Sequence, residues 1–190
     1  MANPQDLIRS ILDKSVEAHR KFAAGDLDPV ERAASAMSQA LAGGRKVIAF
    51  GNGGSAADAE HFVAELVGRF ETERQGLAAI ALTADSSVVT SISNDYGFAA
   101  VFARQIMALG VAGDVALGIS TSGASANVES GLAAAKARGL ITIALTGRDG
   151  GRMGADADVH VNVAEASTAR VQEVHRTILH AICAVIDASF

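Results

Sequence analysis

His61 and Glu65 stand four residues apart, so on a helix they share one face. Such a pair can ligate a metal ion or supply acid–base groups; it is also a common solvated helix pair. Just upstream runs Gly51-Asn-Gly-Gly-Ser55, and a second loop of related grammar runs Ser120-Thr-Ser-Gly-Ala-Ser125. Gly51, Gly53 and Gly54 let backbone N–H groups come close to an anion. Ser55 and Ser125 fall where helix N-caps are expected, and helix N-termini favour negative charge. Ser120, Thr121 and Ser122 add three hydroxyls. The two loops together describe a phosphate cradle built from neutral donors, whereas either alone would pass for a tight turn before a capped helix. A third group, Gln172, Glu173, His175, Arg176 and His180, follows helical spacing. It puts Gln172, Arg176 and His180 along one side, with His175 elsewhere and exposed. Asp58, Glu60 and Arg69 read as surface or interface charges, and His19 and His160 as structural.

These residues need strands to deliver them. Lys46–Phe50, Asp114–Ile119 and Leu140–Leu145 are near-continuous apolar runs, the pattern of strands buried on both faces. Leu77–Leu82 and Asp158–Val163 are two further strand candidates. Helical patterns follow the first two loops, over 56–69 and 126–138. Amphipathic helices are expected over 4–24 and 29–42, and a long apolar-striped helix over 167–188. The expected fold class is α/β, a three-layer sandwich with a five-stranded parallel sheet plus extra N-terminal helices. Those helices could pack on the sheet or on another subunit. No linker is visible, so one domain is expected over 1–190, with N-terminal helices over 1–44 and an α/β core with the C-terminal helix over 45–190. Open parallel sheets bind ligands beyond the carboxyl ends of their strands, where both serine–glycine loops fall.

Composition narrows the ligand and the setting. The chain has 190 residues, 49% hydrophobic and 19% charged, which excludes a disordered or fibrous class. A net charge of −5 without basic runs argues against a nucleic-acid surface. No apolar run approaches the ~20 residues of a membrane span, and the charged N-terminus does not read as a signal peptide. One cysteine, Cys183, fits a reducing compartment, so a cytoplasmic protein is expected. Gly51-x-Gly53-x-x-Ala56 is near a dinucleotide fingerprint, but Asp85 lies too far along to serve as its ribose acid. There is no Gly-Lys-Ser/Thr, and a phosphosugar is the better ligand.

GNGGSAADAEHFVAEL (51–66), SISNDYGF (91–98), GISTSGAS (118–125), ALTGRDGG (144–151) and RVQEVHRTILH (170–180) together resemble the phosphoheptose isomerases of the sugar-isomerase (SIS) domain group. The resemblance implies interconversion of sedoheptulose 7-phosphate and D-glycero-D-manno-heptose 7-phosphate for surface glycans, in a cytoplasmic homotetramer with active sites between subunits. It implies that Asn52, Gly53, Gly54, Ser55, Ser120, Thr121, Ser122 and Ser125 bind substrate, chiefly its phosphate, with Asn94, Asp95, Glu65 and Gln172 as further contacts. It implies His61, Glu65, Gln172 and His180 as ligands of zinc, one ion per subunit, with Glu65 and His180 as catalytic base and acid. Ala169 departs from relatives that carry an acidic residue there. The segment 68–82 also resembles a non-enzymatic relative that associates with a replication initiator. That relative lacks the full acid–base set. A phosphosugar-sensing module, or an isomerase of another phosphosugar, is a further alternative. Gln172 and His180 are eight residues apart, ~12 Å along a helix, so one copy is not expected to bring both to one ion. A neighbouring subunit would then supply one ligand, with Val171, Val174, Ile178 and Ile182 contributing to the interface.

Overall fold

The computed structural model describes residues 3–190. The order is α1 (Pro4–Ala23), α2 (Asp28–Ala42), β1 (Val47–Gly51), α3 (Gly54–Val67), β2 (Ala79–Ala81), α4 (Ser86–Tyr96), α5 (Val101–Leu109), β3 (Val115–Ser120), α6 (Ala126–Ala137), β4 (Ile141–Gly147), α7 (Gly151–Asp156), β5 (Val159–Val163) and α8 (Thr168–Asp187). The five strands pair in parallel in the order β2-β1-β3-β4-β5. Strand side chains alternate between two cores. Val47, Ala49, Leu117, Ile143 and Val161 pack with α2, α3 and α8. Ile48, Phe50, Ala116 and Ala144 pack with α5, α6 and α7. That is the expected three-layer α/β sandwich.

The apolar runs place all five strands. The sequence reading did not single out α4 or α5. The α4 segment, SSVVTSISNDY, is rich in serine and β-branched residues, which are poor helix formers. Its helix starts because Asp85 caps it, accepting from the Val88 N–H at 3.0 Å.

The C-terminal stripe corrects an expectation. Val171, Val174, Ile178 and Ile182 are buried in this chain's own core, because α8 lies over the sheet between α2 and α3. They are not free to build a subunit interface. α2 also packs on the sheet. Among the described residues, α1 leaves an apolar face uncovered, where Leu7, Ile8, Ile11, Leu12 and Val16 are exposed.

The far ends of α3 and α8 are tied by one ion pair. Asp187 accepts from the Glu71 and Thr72 N–H groups, both at 3.0 Å, and from Arg74 Nε at 2.7 Å. Arg74 also donates to the Glu65 carbonyl at 2.9 Å and the Leu66 carbonyl at 3.0 Å, satisfying acceptors that a helix end leaves open. The pair is nearly solvent-free, at 3% and 5% side-chain exposure. Burial pushes the Asp187 carboxyl up. Hydrogen bonds from the Thr72 N–H, Arg74 and the Glu71 N–H outweigh it and hold the group below its ordinary range. Since the folded-state pKa is the lower one, this stabilisation is complete above the unfolded value of ~3.9 and fades as pH falls through the folded value. Asp187→Ala is expected to cost about 3–5 kcal/mol at neutral pH, because it strands a buried guanidinium. Urea melts of the two proteins should show that gap, and it should narrow in acid.

Candidate functional site

In this strand order the direction of winding reverses between β1 and β3, and the crevice opens beyond their carboxyl ends. β1 and β3 are paired there, Gly51 opposite Ile119. The helices that follow go to opposite faces, α3 to one core and α6 to the other. The two serine–glycine loops therefore face each other across the crevice.

The β1 loop turns at Gly53, whose φ of 55° favours glycine, and Gly53 is the N-cap of α3. Ser55, expected as the cap, lies one residue inside the helix and is buried. Ser125 does occupy the N-cap of α6, yet its hydroxyl makes no cap bond. It lies 2.8 Å from Ser120 Oγ, and Ser122 Oγ is 3.3 Å from the same atom. Three hydroxyls thus converge where β3 ends. Asn52 and Asn127 bridge the crevice by exchanging two amide hydrogen bonds of 2.8 Å each. Every side chain of this cradle is neutral, so a bound phosphate would be held by dipoles and helix N-termini.

From the cradle, α3 and α8 run side by side in the same direction. The Gln172 amide covers Gly54, so that a Cβ at position 54 would lie 1.7 Å from Gln172 Nε2. One turn on, Arg176 reaches Asp58, with Nη2 2.6 Å from Oδ1. One turn further, His61 Nε2 lies 2.8 Å from His180 Nε2 and 3.4 Å from Glu65 Oε1. Donor atoms of His61, Glu65 and His180 all lie within 4.8 Å of one another, and the Phe70 ring stands 5.5 Å from His180. Two imidazole nitrogens and a carboxylate at this spacing are a donor set suited to zinc. They are also residue types that can pass protons. Cys183, near Glu65, stays out of this chemistry: burial first, then the Glu65 and Asp187 charges, push its thiol up to about 12.

A SIS domain family model matches residues 12–147. Phosphoheptose isomerase from Neisseria meningitidis is 50% identical across 99% of this chain and 97% of its own. The enzyme of that name from Geobacter sulfurreducens is 54% identical across 81% of this chain and 82% of its own. The chain belongs to the phosphoheptose isomerase family. Its fold matches the structure of phosphoheptose isomerase from Neisseria gonorrhoeae with a TM-score of 0.93 and 46% identity, over 98% of this chain and 100% of the other.

Of the positions that the phosphoheptose isomerase resemblance singled out, one chain brings His61, Glu65 and His180 together. It lines the crevice with Asn52, Gly53, Gly54, Ser55, Ser120, Thr121, Ser122 and Ser125. Gln172 sits at the cradle end, two turns of an unbroken α8 from His180. Asn94 and Asp95 stand apart. They are exposed on α4 and hydrogen-bonded to each other at 2.9 Å, and α4 packs on α5 in the other helical layer.

Two readings are corrected. His175 is fully buried, with Nε2 2.8 Å from the Thr146 carbonyl. Burial pulls its pKa down, opposed by that bond and by Asp58. Asp58 is fully buried too, because Arg176 covers it. Asn127 had drawn no attention, although its place two residues after Ser125 puts it in the first turn of the helix leaving the serine loop.

Gly54→Ala is expected to fold with a melting temperature within about 4 °C of the parent, the scale of a 1 kcal/mol change in a domain of this size. The added methyl strikes only the free end of a flexible side chain. The Gln172 side-chain amide resonances should move, which an NMR spectrum of the two proteins would report.

Proposed function

We propose that this chain is an aldose–ketose isomerase that converts sedoheptulose 7-phosphate to D-glycero-D-manno-heptose 7-phosphate through an enediol, for heptose and surface-glycan biosynthesis such as that of lipopolysaccharide. One observation carries the reading. The helix that starts in a neutral phosphate cradle carries, two to three turns on, a histidine and a carboxylate that meet a second histidine from α8. A non-catalytic SIS protein would need the cradle but not this convergence. One SIS domain over the whole chain is supported by a single sheet with α8 packed on it.

The cradle holds the phosphate and so fixes one end of the sugar. The ketose then loses a proton from C1 to the Glu65 carboxylate, leaving a cis-enediol, and the same proton returns to C2. His180 moves the proton from the C1 oxygen to the C2 oxygen, so that the balance closes without an external donor. A single base can serve both carbons because they lie on one face of a planar intermediate. Zinc fits His61, Glu65 and His180, with Gln172 as the fourth ligand; when bound it would polarise the two oxygens.

Gln172 supports an assembled site. Its own helix holds it ~12 Å along the axis from His180, so a symmetric oligomer, a homotetramer in our reading, would complete each zinc site with a residue from a neighbour. Asn94 and Asp95, exposed on the opposite layer, would likewise reach a neighbour's crevice. The uncovered apolar face of α1 supports assembly as well. Among the described residues no helix is long and apolar enough to cross a membrane, and with one buried thiol this supports a cytoplasmic setting.

The purified protein should turn sedoheptulose 7-phosphate into an aldose product and act very poorly on sedoheptulose. Glu65→Gln should fold normally and lose ~10²–10⁴-fold in turnover, the usual cost of a missing general base. Equal turnover of the two sugars, or an active Glu65→Gln, would sink the proposal.

Complementation examines the shared site. Gln172→Ala and His180→Ala chains, each inactive alone, should regain part of the activity when their subunits are mixed. No recovery in oligomers shown by mass spectrometry to be mixed would put both residues in one subunit's site.

A further inference from the structure

Between Gly54 and His61, α3 meets α8 through three successive side-chain contacts, like rungs: Gln172 packed over Gly54, Arg176 on Asp58, and His180 on His61. The outer two belong to the site described above. The middle one has had no function. Arg176 is four residues from both Gln172 and His180, and Asp58 is four after Gly54 and three before His61. The pair therefore stands on the same helix faces as the rungs it separates.

Its design is poor for stability alone. Asp58 has a fully buried carboxylate, while Arg176 is 47% exposed. Arg176 spends two donors, Nε at 3.0 Å and Nη2 at 2.6 Å, on the single atom Oδ1. Oδ2 has no partner. Replacing such a pair by packed apolar groups is often neutral or stabilising, so its value lies in what it fixes. Apolar neighbours such as Ala59, Phe62, Val174 and Ile178 allow sliding along the axis, whereas a directional ion pair does not. Among the described residues, the other side-chain hydrogen bond between the two helices is His61–His180 itself. The adjacent His175 holds α8 to the Thr146 carbonyl, and Thr146 is paired with Ser120 of the cradle. Residues 175 and 176 thus tie α8 to both walls of the site.

We propose that Asp58–Arg176 is a positioning pair that sets the axial register of α8 on α3, and through it the distance of His180 from the phosphate cradle and from His61 and Glu65, which α3 itself carries. A slip of one residue moves α8 by ~1.5 Å, about one carbon–carbon bond. The pair is therefore a determinant of sugar chain length. This rests on the isomerase reading above.

The test uses Arg176→Lys, which keeps the charge but not the fork, and Asp58→Asn. Melting temperature, kcat and KM on sedoheptulose 7-phosphate are measured, with competitive inhibition by a six-carbon ketose 6-phosphate. Arg176→Lys should keep its melting temperature within about 5 °C. Its kcat should fall about 10²-fold, the cost of a misplacement near 1 Å, with KM changed by less than about threefold. The six-carbon competitor should gain on the seven-carbon substrate relative to the parent. Asp58→Asn should do the same; if it fails to fold, the half-exposed Arg176 carries the result alone. A folded Arg176→Lys with parental kcat, or with parental discrimination between the two sugars, overturns the proposal. A parent protein with no turnover overturns the isomerase reading, and the register proposal falls with it.

Discussion

Two helices lying side by side and pointing the same way are the constraint from which the rest of this molecule follows. In an all-parallel sheet every crossover helix runs back against the strands, so α3 and α8, on one face, have parallel axes. Their N-termini both open at the carboxyl edge, where the positive ends of their dipoles add. Like-oriented dipoles repel, and the chain offsets this with contacts along the whole seam: an amide over a glycine at the start, an ion pair in the middle, an imidazole pair beyond it. Arg74 and Asp187 bind the far ends. The seam starts at the serine–glycine loops and carries the His61–Glu65–His180 group two to three turns away.

Charge is segregated along the strands. At the amino edge of the sheet, Asp114 accepts from the Lys46 and Val111 N–H groups and from Lys46 Nζ, and Asp158 accepts from the Thr142 N–H and hydroxyl. In both, burial pushes the carboxyl up, but these bonds outweigh it and hold the group below its ordinary range. Those carboxylates are spent on holding strand starts together. Among the described residues, the polar side chains of the two loops at the carboxyl edge between β1 and β3 are amides and hydroxyls. The described side chains of the two loops include no carboxylate, and Glu65 lies about three turns along α3 from Gly54.

The sequence made the strands legible because a strand covered on both faces has nowhere to put a polar residue. It made the loops legible because two serine–glycine loops, both at the carboxyl ends of strands, fit an anion cradle better than two unrelated capped turns. The i,i+4 spacing of His61 and Glu65 was visible for the same local reason. What stayed hidden depends on long-range partners. His175 sits at a position that its own helix would leave wet, and it is dry because β4 lies against it. Asp58 reads as a surface charge until Arg176, 118 residues away, closes over it. α4 forms from residues that disfavour a helix, since its Asp85 cap and its packing on α5 supply what propensity does not. The apolar stripe of α8 was visible as a stripe, but periodicity does not say whether the surface it meets belongs to the same chain.

The paired amides of Asn52 and Asn127 also bear on how the protein ages. Asn52 precedes Gly53, and an asparagine followed by glycine is where a polypeptide most readily cyclises, sheds ammonia and becomes an acidic residue. A carboxylate formed there would stand inside the proposed phosphate cradle and repel an anion. In this fold the carbonyl oxygen and the amide nitrogen of Asn52 are both held by Asn127, which restrains the side-chain rotation that the cycle requires. The contact that joins the two loops is thus also a brake on chemical decay at the most vulnerable dipeptide of the cradle.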